Sequence, residues 1–149
     1  MFDLVIADHV LFYCEDIPQV LAECRRVLKN EGRFLCSTYG KQHMREITDL
    51  VQQFHKEIVL SAEVLYERFG LENGENLLAP YFPEIQMRRY EDAIEIAEAE
   101  PLISYILSCH GNQNQLLLNQ YKEFREFVSA RVADGFHITK DAGIFLCRK

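Results

Sequence analysis

The first 38 residues contain an apolar run, an amphipathic helix pattern and a second apolar run, in that order. Residues 2–7 read FDLVIA, which is too short for a helix and is typical of a strand buried on both faces. Residues 33–38, RFLCST, predict the second strand. Two strands joined through a helix by short connections lie parallel, with a right-handed crossover. This unit therefore predicts an α/β fold.

The helix between these strands is indicated by apolar residues that recur with helical spacing over 17–28 and form one stripe. Asp16 is a suitable N-cap, because its carboxylate can accept from a free backbone N–H. Pro18 falls in the first turn, where the N–H it lacks has no partner in any case. Lys29 and Gly32 are typical of a helix C-terminus, so the helix should end near them.

The rest of the chain alternates helical and extended patterns. The end, GFHITKDAGIFLCRK, predicts two short strands around an Asp-Ala-Gly turn, and residues 56–72 favour a helix followed by an extended segment. Since no stretch looks like a linker, we expect residues 1–149 to form one domain. The other predicted elements are helices over 42–55, 75–79 and 113–132, a helix with Pro101 in its first turn, and a strand region over 84–97.

Composition narrows the classes of partner. Lysine and arginine number 16 against 23 acidic residues, and the resulting charge of −7 argues against nucleic acid as the main partner. No apolar run approaches the roughly 18 residues that span a bilayer, so we expect no membrane partner. The five cysteines form no CxxC pair and lie mostly in apolar runs, which predicts free thiols in a reducing, cytoplasmic compartment. Neither these nor the five histidines have metal-ligand spacing, so no metal site is expected.

FDLVIADHVLFYCED, the helix after it and GRFLCSTYG resemble the second half of a class I S-adenosylmethionine-dependent methyltransferase of the bacterial small-molecule, type 11-like branch. That family commonly reads FDxVxxxxxLxxxxD, then a helix ending RxLKPGG, then an apolar strand. Asn30-Glu31 replaces the usual Pro-Gly in a solvent turn. STYGKQHMREI, FGLENGENLL, YFPEIQMRRYED and AEPLISYILS also resemble this branch. The residues that match its first pattern are Phe2, Asp3, Val5, Leu11, Asp16, Arg26, Leu28, Lys29 and Gly32.

The resemblance implies strands four to seven of a Rossmann-like methyltransferase sheet, mixed in direction, with extra helices. It also implies methyl transfer from S-adenosylmethionine to a small-molecule acceptor. The family holds this cofactor chiefly with a Gly-rich turn and an acidic residue on its first two strands, and the sequence has neither. We therefore expect a partial domain without the first three strands, either a piece of a longer chain or a truncated relative. Alone, it should bind S-adenosylmethionine weakly or not at all.

Two functions remain open at this point. The chain is part of a complete methyltransferase, or it is a non-catalytic oligomerisation or substrate-side module left after loss of the cofactor half.

Under the resemblance, the strand 2–7 has lost a neighbour, and only the charge of Asp3 protects its edge from pairing. We expect a homodimer through residues 2–12, because such an edge is a template for another strand. Alternatively, residues 56–72 or an end helix cover the edge.

Asp8 and His9 follow the first strand, at the edge where open parallel sheets bind ligands. The resemblance implies that this position lines the methyl donor and the acceptor. His9 is the candidate catalytic base, because imidazole titrates near neutrality. The alternative is that His9 bonds nearby backbone and shapes the loop, and that Asp8 only accommodates a strand-end turn.

Aromatic side chains near both strand ends are candidates for a substrate site. Phe12 and Tyr13 wall a pocket or pack under the following helix. Four residues follow the second strand: Thr38, Tyr39, Gly40 and His43. Either they form the floor of an acceptor site together with His9, or they are only the capped start of the next helix. The resemblance also makes GRFLCST and GIFLCRK antiparallel neighbours, so Cys36 and Cys147 should lie close together yet stay reduced.

Overall fold

The computed structural model describes residues 1–149 and confirms the predicted α/β class, with four strands, seven α-helices and a 3-10 turn at Leu11–Tyr13. The strands are β1 (Phe2–Ala7), β2 (Leu28–Tyr39), β3 (Glu84–Ile96) and β4 (Phe136–Arg148). The helices are α1 (Ile17–Val27), α2 (Arg45–Phe54), α3 (Leu65–Arg68), α4 (Gly74–Leu78), α5 (Ala99–Ser108), α6 (Gln113–Leu117) and α7 (Tyr121–Val132).

The four strands form one mixed sheet in the order β1-β2-β4-β3. β1 and β2 are parallel, with Val5 opposite Phe34 and Ala7 opposite Cys36. β2 and β4 are antiparallel, and Cys36 there faces Phe145. The predicted parallel pair and the predicted antiparallel neighbour are both confirmed.

The start of α1 follows the predicted chemistry. The Asp16 carboxylate accepts from the backbone N–H of Gln19 at 2.9 Å, and Pro18 occupies the first turn. The helix ends at Val27, and β2 begins at once at Leu28, five residues before the predicted strand. The added length is possible because the β1–β2 register shifts between Phe2 and Leu4.

Two predictions for the rest of the chain are wrong, and a third is confirmed in part. The helix predicted over 113–132 is two helices, because the backbone of Gln120 leaves the helical region at φ −128°. Residues 56–72 contain a helix of only one turn, α3, and Phe69 after it is extended at φ −152°. The Asp-Ala-Gly segment is not a turn but part of the continuous β4, where Gly143 pairs with Thr38. A Cβ on Gly143 would lie 2.7 Å from a backbone oxygen, so its glycine allows close strand approach.

The chain divides into two compact units, each with its own hydrophobic core. Unit 1 comprises Met1–His43, Val64–Glu91 and Asp141–Lys149, and its core contains a stacked Phe34–Phe82 pair with centroids 5.3 Å apart. Unit 2 comprises Met44–Glu63 and Asp92–Lys140, and an edge-to-face Phe54–Phe124 pair lies in its core. The single-domain organisation stays a prediction.

β1 lies at one edge of the sheet, not buried on both faces as its composition suggests. Phe2, Leu4 and Ile6 are 59%, 48% and 59% exposed, whereas Ala7 is buried in the core. Side chains alternate between the two faces of a strand, so β1 presents one apolar face outward. No helix has the length and apolar character needed to cross a membrane.

Candidate functional site

The turn after β1 is held by a buried serine of β2. Ser37 Oγ accepts from the backbone N–H of His9 at 2.9 Å and donates to the Asp8 carboxylate. Within this turn His9 takes a left-handed backbone conformation, with φ 47°. A non-glycine residue adopts this conformation at an energetic cost, so its surroundings must hold it there. The sequence analysis did not identify Ser37. Its position one residue beyond the last β1–β2 pair could have indicated that its hydroxyl would reach the turn after β1.

Three rings stack at the carboxyl ends of β1 and β2. The Tyr39 ring lies between two imidazoles, with centroid distances of 4.4 Å to His9 and 4.3 Å to His43. We call His9, Tyr39 and His43 the ring stack. Phe12 is only 1% exposed and backs Tyr39 at 5.6 Å, while Tyr13 meets Phe12 edge-on at 4.7 Å and is 64% exposed.

The turn after β2 is held by a buried carboxylate of β4. The Asp141 carbonyl accepts from the N–H of Gly40 at 2.9 Å, and its carboxylate accepts from the N–H of Gln42 at 3.0 Å. The Asp141 N–H donates to Nδ1 of His43 at 3.2 Å. The proton of a neutral His43 ring therefore sits on Nε2. A Cβ on Gly40 would lie 2.1 Å from the Asp141 carboxylate, so only glycine fits there.

Burial affects the polar groups of Tyr39 and His9 in the ring stack differently. Burial raises the pKa of the Tyr39 phenol, and the nearby Tyr13 phenol and Asp8 carboxylate raise it further. Tyr39 is thus a protonated hydrogen-bond donor at neutral pH. Nδ1 of His9 is buried and has no hydrogen-bond partner.

The predicted site residues do not all come together. Asp8, His9, Tyr39 and His43 meet at one sheet edge, with Phe12 behind them and Tyr13 beside it. Thr38 is fully buried and donates to the carbonyl of Phe69 at 2.6 Å, so it is not part of this surface. No group of three or more histidine, cysteine or acidic side chains is arranged to hold a metal ion. The roles of these residues stay predictions.

A concave surface lies within unit 2. An open groove of about 790 Å³ runs along the start of α5 and one side of α7. Its Arg125 and Glu100 pair with each other at 2.5 Å, and it includes none of the ring-stack residues. The chemistry described above therefore belongs to the sheet edge and not to this groove.

Comparisons with known proteins point to one enzyme family. Residues 1–36 match the family model described as Methyltransferase domain. The biotin biosynthesis bifunctional protein BioHC of Saccharophagus degradans is 38% identical over 48 residues, which are 32% of this chain and 9% of that protein. These two sequence matches confirm the predicted resemblance to class I S-adenosylmethionine-dependent methyltransferases.

Two solved structures align along nearly the whole chain with low TM-scores. A possible histamine N-methyltransferase of Thermotoga maritima has 12% identity and a TM-score of 0.46, over 99% of this chain and 56% of that one. Phosphoethanolamine N-methyltransferase 2 of Haemonchus contortus has 18% identity and a TM-score of 0.45, over 99% of this chain and 33% of that one. The chain thus spans less than two thirds of the length of each of these relatives.

Proposed function

We propose that this chain, with its resemblance to class I S-adenosylmethionine-dependent methyltransferases, forms the acceptor side of an enzyme that methylates a small molecule. The observation that carries the proposal is the ring stack at the carboxyl ends of β1 and β2. Ligands of open α/β sheets bind outside these strand ends. The family match over residues 1–36 covers β1, α1 and most of β2, which are the elements that lead into the stack.

The residues present do not fit the whole cofactor. A nucleotide-binding turn uses glycines so that the backbone can approach the ligand closely. The turn after β1 contains no glycine, and the space beside Gly40 after β2 is filled by the Asp141 carboxylate. We therefore propose that Asp8 and His9 supply only strand-end contacts to S-adenosylmethionine, and that this chain alone binds it weakly or not at all.

The chain's own contribution to catalysis is positioning and proton transfer. Tyr39 offers an O–H and His43 an N–H to orient the acceptor. Stacking fixes both rings, and the Asp141 N–H also holds His43. His9 is the proposed base that takes a proton from the acceptor, a contribution of about 10²–10⁴ in rate for a positioned group. Since methyl transfer is chiefly a matter of alignment, a rigid stack is well suited to this role.

Calorimetric titration of the purified chain with S-adenosylmethionine and its demethylated product tests this assignment. We expect no binding at micromolar cofactor, and at millimolar cofactor NMR shifts that centre on Asp8 and His9. His137 in unit 2 serves as the control imidazole and should not shift. Micromolar affinity, or weak binding that leaves His9 unperturbed, would contradict the proposal.

A second candidate function is a non-catalytic homodimer module, and the exposed face of β1 favours it. When two β1 strands pair antiparallel about a two-fold axis at Leu4, Phe2 of one copy faces Ile6 of the other. Apolar residues then meet on one face, and Asp3 faces Val5 and not a second carboxylate. The pairing would satisfy the free backbone groups of the edge strand.

Light scattering after gel filtration tests the dimer. We expect a dimer at micromolar concentration, and a monomer for Leu4→Lys, because the substitution places two ammonium groups opposite each other. Met87→Lys is the matched control. Met87 is 42% exposed and lies on β3, the other edge strand of the sheet, so this substitution should leave the dimer intact. A wild-type monomer would show that the edge is protected in another way.

All five cysteines are free, and Cys36 and Cys147 lie buried on the same face of paired strands. Free thiols persist in reducing compartments, so we propose a cytoplasmic location.

A further inference from the structure

Two carboxylates hold consecutive backbone N–H groups of the turn after β2. The Glu72 side chain accepts from the N–H of Lys41 at 3.1 Å, and the Asp141 side chain accepts from the N–H of Gln42 at 3.0 Å. Glu72 is exposed, whereas Asp141 is only 6% exposed. Because both side chains bring negative charge to one short segment, their mutual repulsion opposes this arrangement unless a cation offsets it.

One guanidinium, that of Arg89 on β3, meets both carboxylates. Its Nη2 lies 3.3 Å from Oε1 of Glu72, and its Nε lies 3.4 Å from Oδ1 of Asp141. Both distances exceed the roughly 2.7–2.9 Å of a bidentate ion pair, so the attraction is chiefly Coulombic. A buried carboxylate receives little stabilisation from water, so the cation matters most for Asp141.

Close approach of β3 to β4 brings Arg89 to this place. A Cβ on Gly143 would lie 2.7 Å from the carbonyl oxygen of Arg88 and 3.2 Å from Cα of Arg89, so the missing side chain leaves room for β3. Neighbouring residues of a strand point to opposite faces. Arg88 accordingly contacts neither Glu72 nor Asp141, and the two adjacent arginines form a matched pair for experiment.

We propose that Arg89 is a positioning residue of the ring stack and acts through Asp141 on His43. Its charge keeps both carboxylates against the turn after β2, and the backbone N–H of Asp141 donates to Nδ1 of His43 at 3.2 Å. This hydrogen bond keeps the proton of a neutral His43 ring on Nε2. The proposal rests on the proposed function in taking the ring stack as the acceptor side. It assigns the residue that keeps the His43 N–H aligned, and alignment governs the rate of such a transfer.

Methionine at each of the two arginine positions tests the assignment by NMR, at a pH where the imidazoles are neutral. Arg89→Met should raise the minor His43 tautomer, which has its proton on Nδ1, about fivefold in imidazole ¹⁵N spectra, because the donor to Nδ1 is no longer held. Amide exchange at Lys41 and Gln42 should become about tenfold faster, because both acceptors are less firmly held. Arg88→Met removes an equal charge from the same strand and should change neither readout.

Two further measurements separate the charge of Arg89 from its packing. Arg89→Lys keeps a cation, and because the contacts are chiefly Coulombic it should restore slow exchange at Gln42 and the Nε2–H tautomer of His43. In the wild-type chain, high salt should speed exchange at Lys41 and Gln42 severalfold, because the Arg89 side chain is 40% exposed and its charge is screened. The amide of Cys36, buried within β2, should not respond. The salt measurement needs no variant, so it applies even if Arg89→Met does not fold.

Faster exchange that is confined to the turn and is restored by lysine supports the inference. An unchanged His43 tautomer in Arg89→Met would overturn it, as would an equal effect of Arg88→Met. It is also overturned if Arg89→Lys behaves like Arg89→Met, or if exchange at Gln42 does not respond to salt. None of these readouts needs cofactor, acceptor or methyl transfer. A failure of the cofactor titration therefore leaves this test intact, and a failure here leaves the acceptor-site proposal standing without Arg89.

Discussion

Replacing His9 by glycine and by alanine distinguishes the strain in its backbone from the contacts of its ring. Both substitutions remove the stack on Tyr39, at 4.4 Å, and leave the N–H that donates to Ser37. They differ only at the backbone, where φ is 47°. Glycine adopts this conformation without steric cost, and alanine does not.

The magnitude follows from two opposing terms. An L-residue in the left-handed region loses roughly 1–2 kcal/mol to contact between Cβ and the following carbonyl. Glycine loses roughly 0.5–1 kcal/mol relative to alanine, because its unfolded chain has more conformational freedom. The midpoints of the two ranges leave His9→Gly more stable than His9→Ala by about 0.75 kcal/mol, within limits of roughly 0 and 1.5 kcal/mol. Loss of the aromatic pair lowers the free energy of unfolding of both variants by a further ~0.5–1.5 kcal/mol.

Urea unfolding followed by circular dichroism measures this difference, and the neighbouring residue is the control. Val10 has φ −127° and is 43% exposed. At that position alanine should be more stable than glycine, the opposite order to His9. If alanine is the more stable variant at both positions, the strain assigned to the turn after β1 is refuted.

Three further predictions concern the buried groups around the sheet. Ser37→Ala should lower the free energy of unfolding by about 1–3 kcal/mol and speed amide exchange in the turn after β1, because the half-buried His9 N–H loses its acceptor. Gly40→Ala should lower the free energy of unfolding by about 1–3 kcal/mol, as overpacking does. The loss should be distinctly smaller in an Asp141→Ala background, because the carboxylate that overlaps the added Cβ is absent there. A double-mutant cycle by urea unfolding gives that coupling, and a cost that is equal in both backgrounds would contradict the close approach. Thiol counting on the denatured chain should find five free thiols, and three would show a disulfide. In the folded chain Cys36 and Cys147 should react slowest, because burial raises the pKa of both thiols, that of Cys147 to about 12.

Much of the first 39 residues could be predicted from local pattern. The run 2–7, the helical stripe over 17–28 and the N-cap Asp16 all lie where expected, because period, capping and strand composition act over a few residues. The turn predicted at Asp-Ala-Gly is wrong for the opposite reason. These residues favour a turn locally, but pairing with β2, about a hundred positions earlier in the sequence, keeps them extended in β4.

Prediction of the candidate site was similarly uneven. Parallel strands bring their carboxyl ends to the same edge, so the meeting of His9, Tyr39 and His43 follows from the predicted β1–α1–β2 unit. No local signal in the sequence indicates that Asp141 holds the turn after β2, because its hydrogen bonds reach residues nearly a hundred positions away.

The sequence by itself determined the parallel unit, its helix and the chemical types gathered at the strand ends, since these depend on spacing and on side-chain identity. Only the tertiary structure decided which rings stack, that His9 has a left-handed backbone and that Ser37 donates to Asp8. It also decided that β1 lies at the edge of the sheet with an apolar face exposed. These properties are set by which side chains approach one another across the folded chain, and a pattern along the backbone carries no record of those distances.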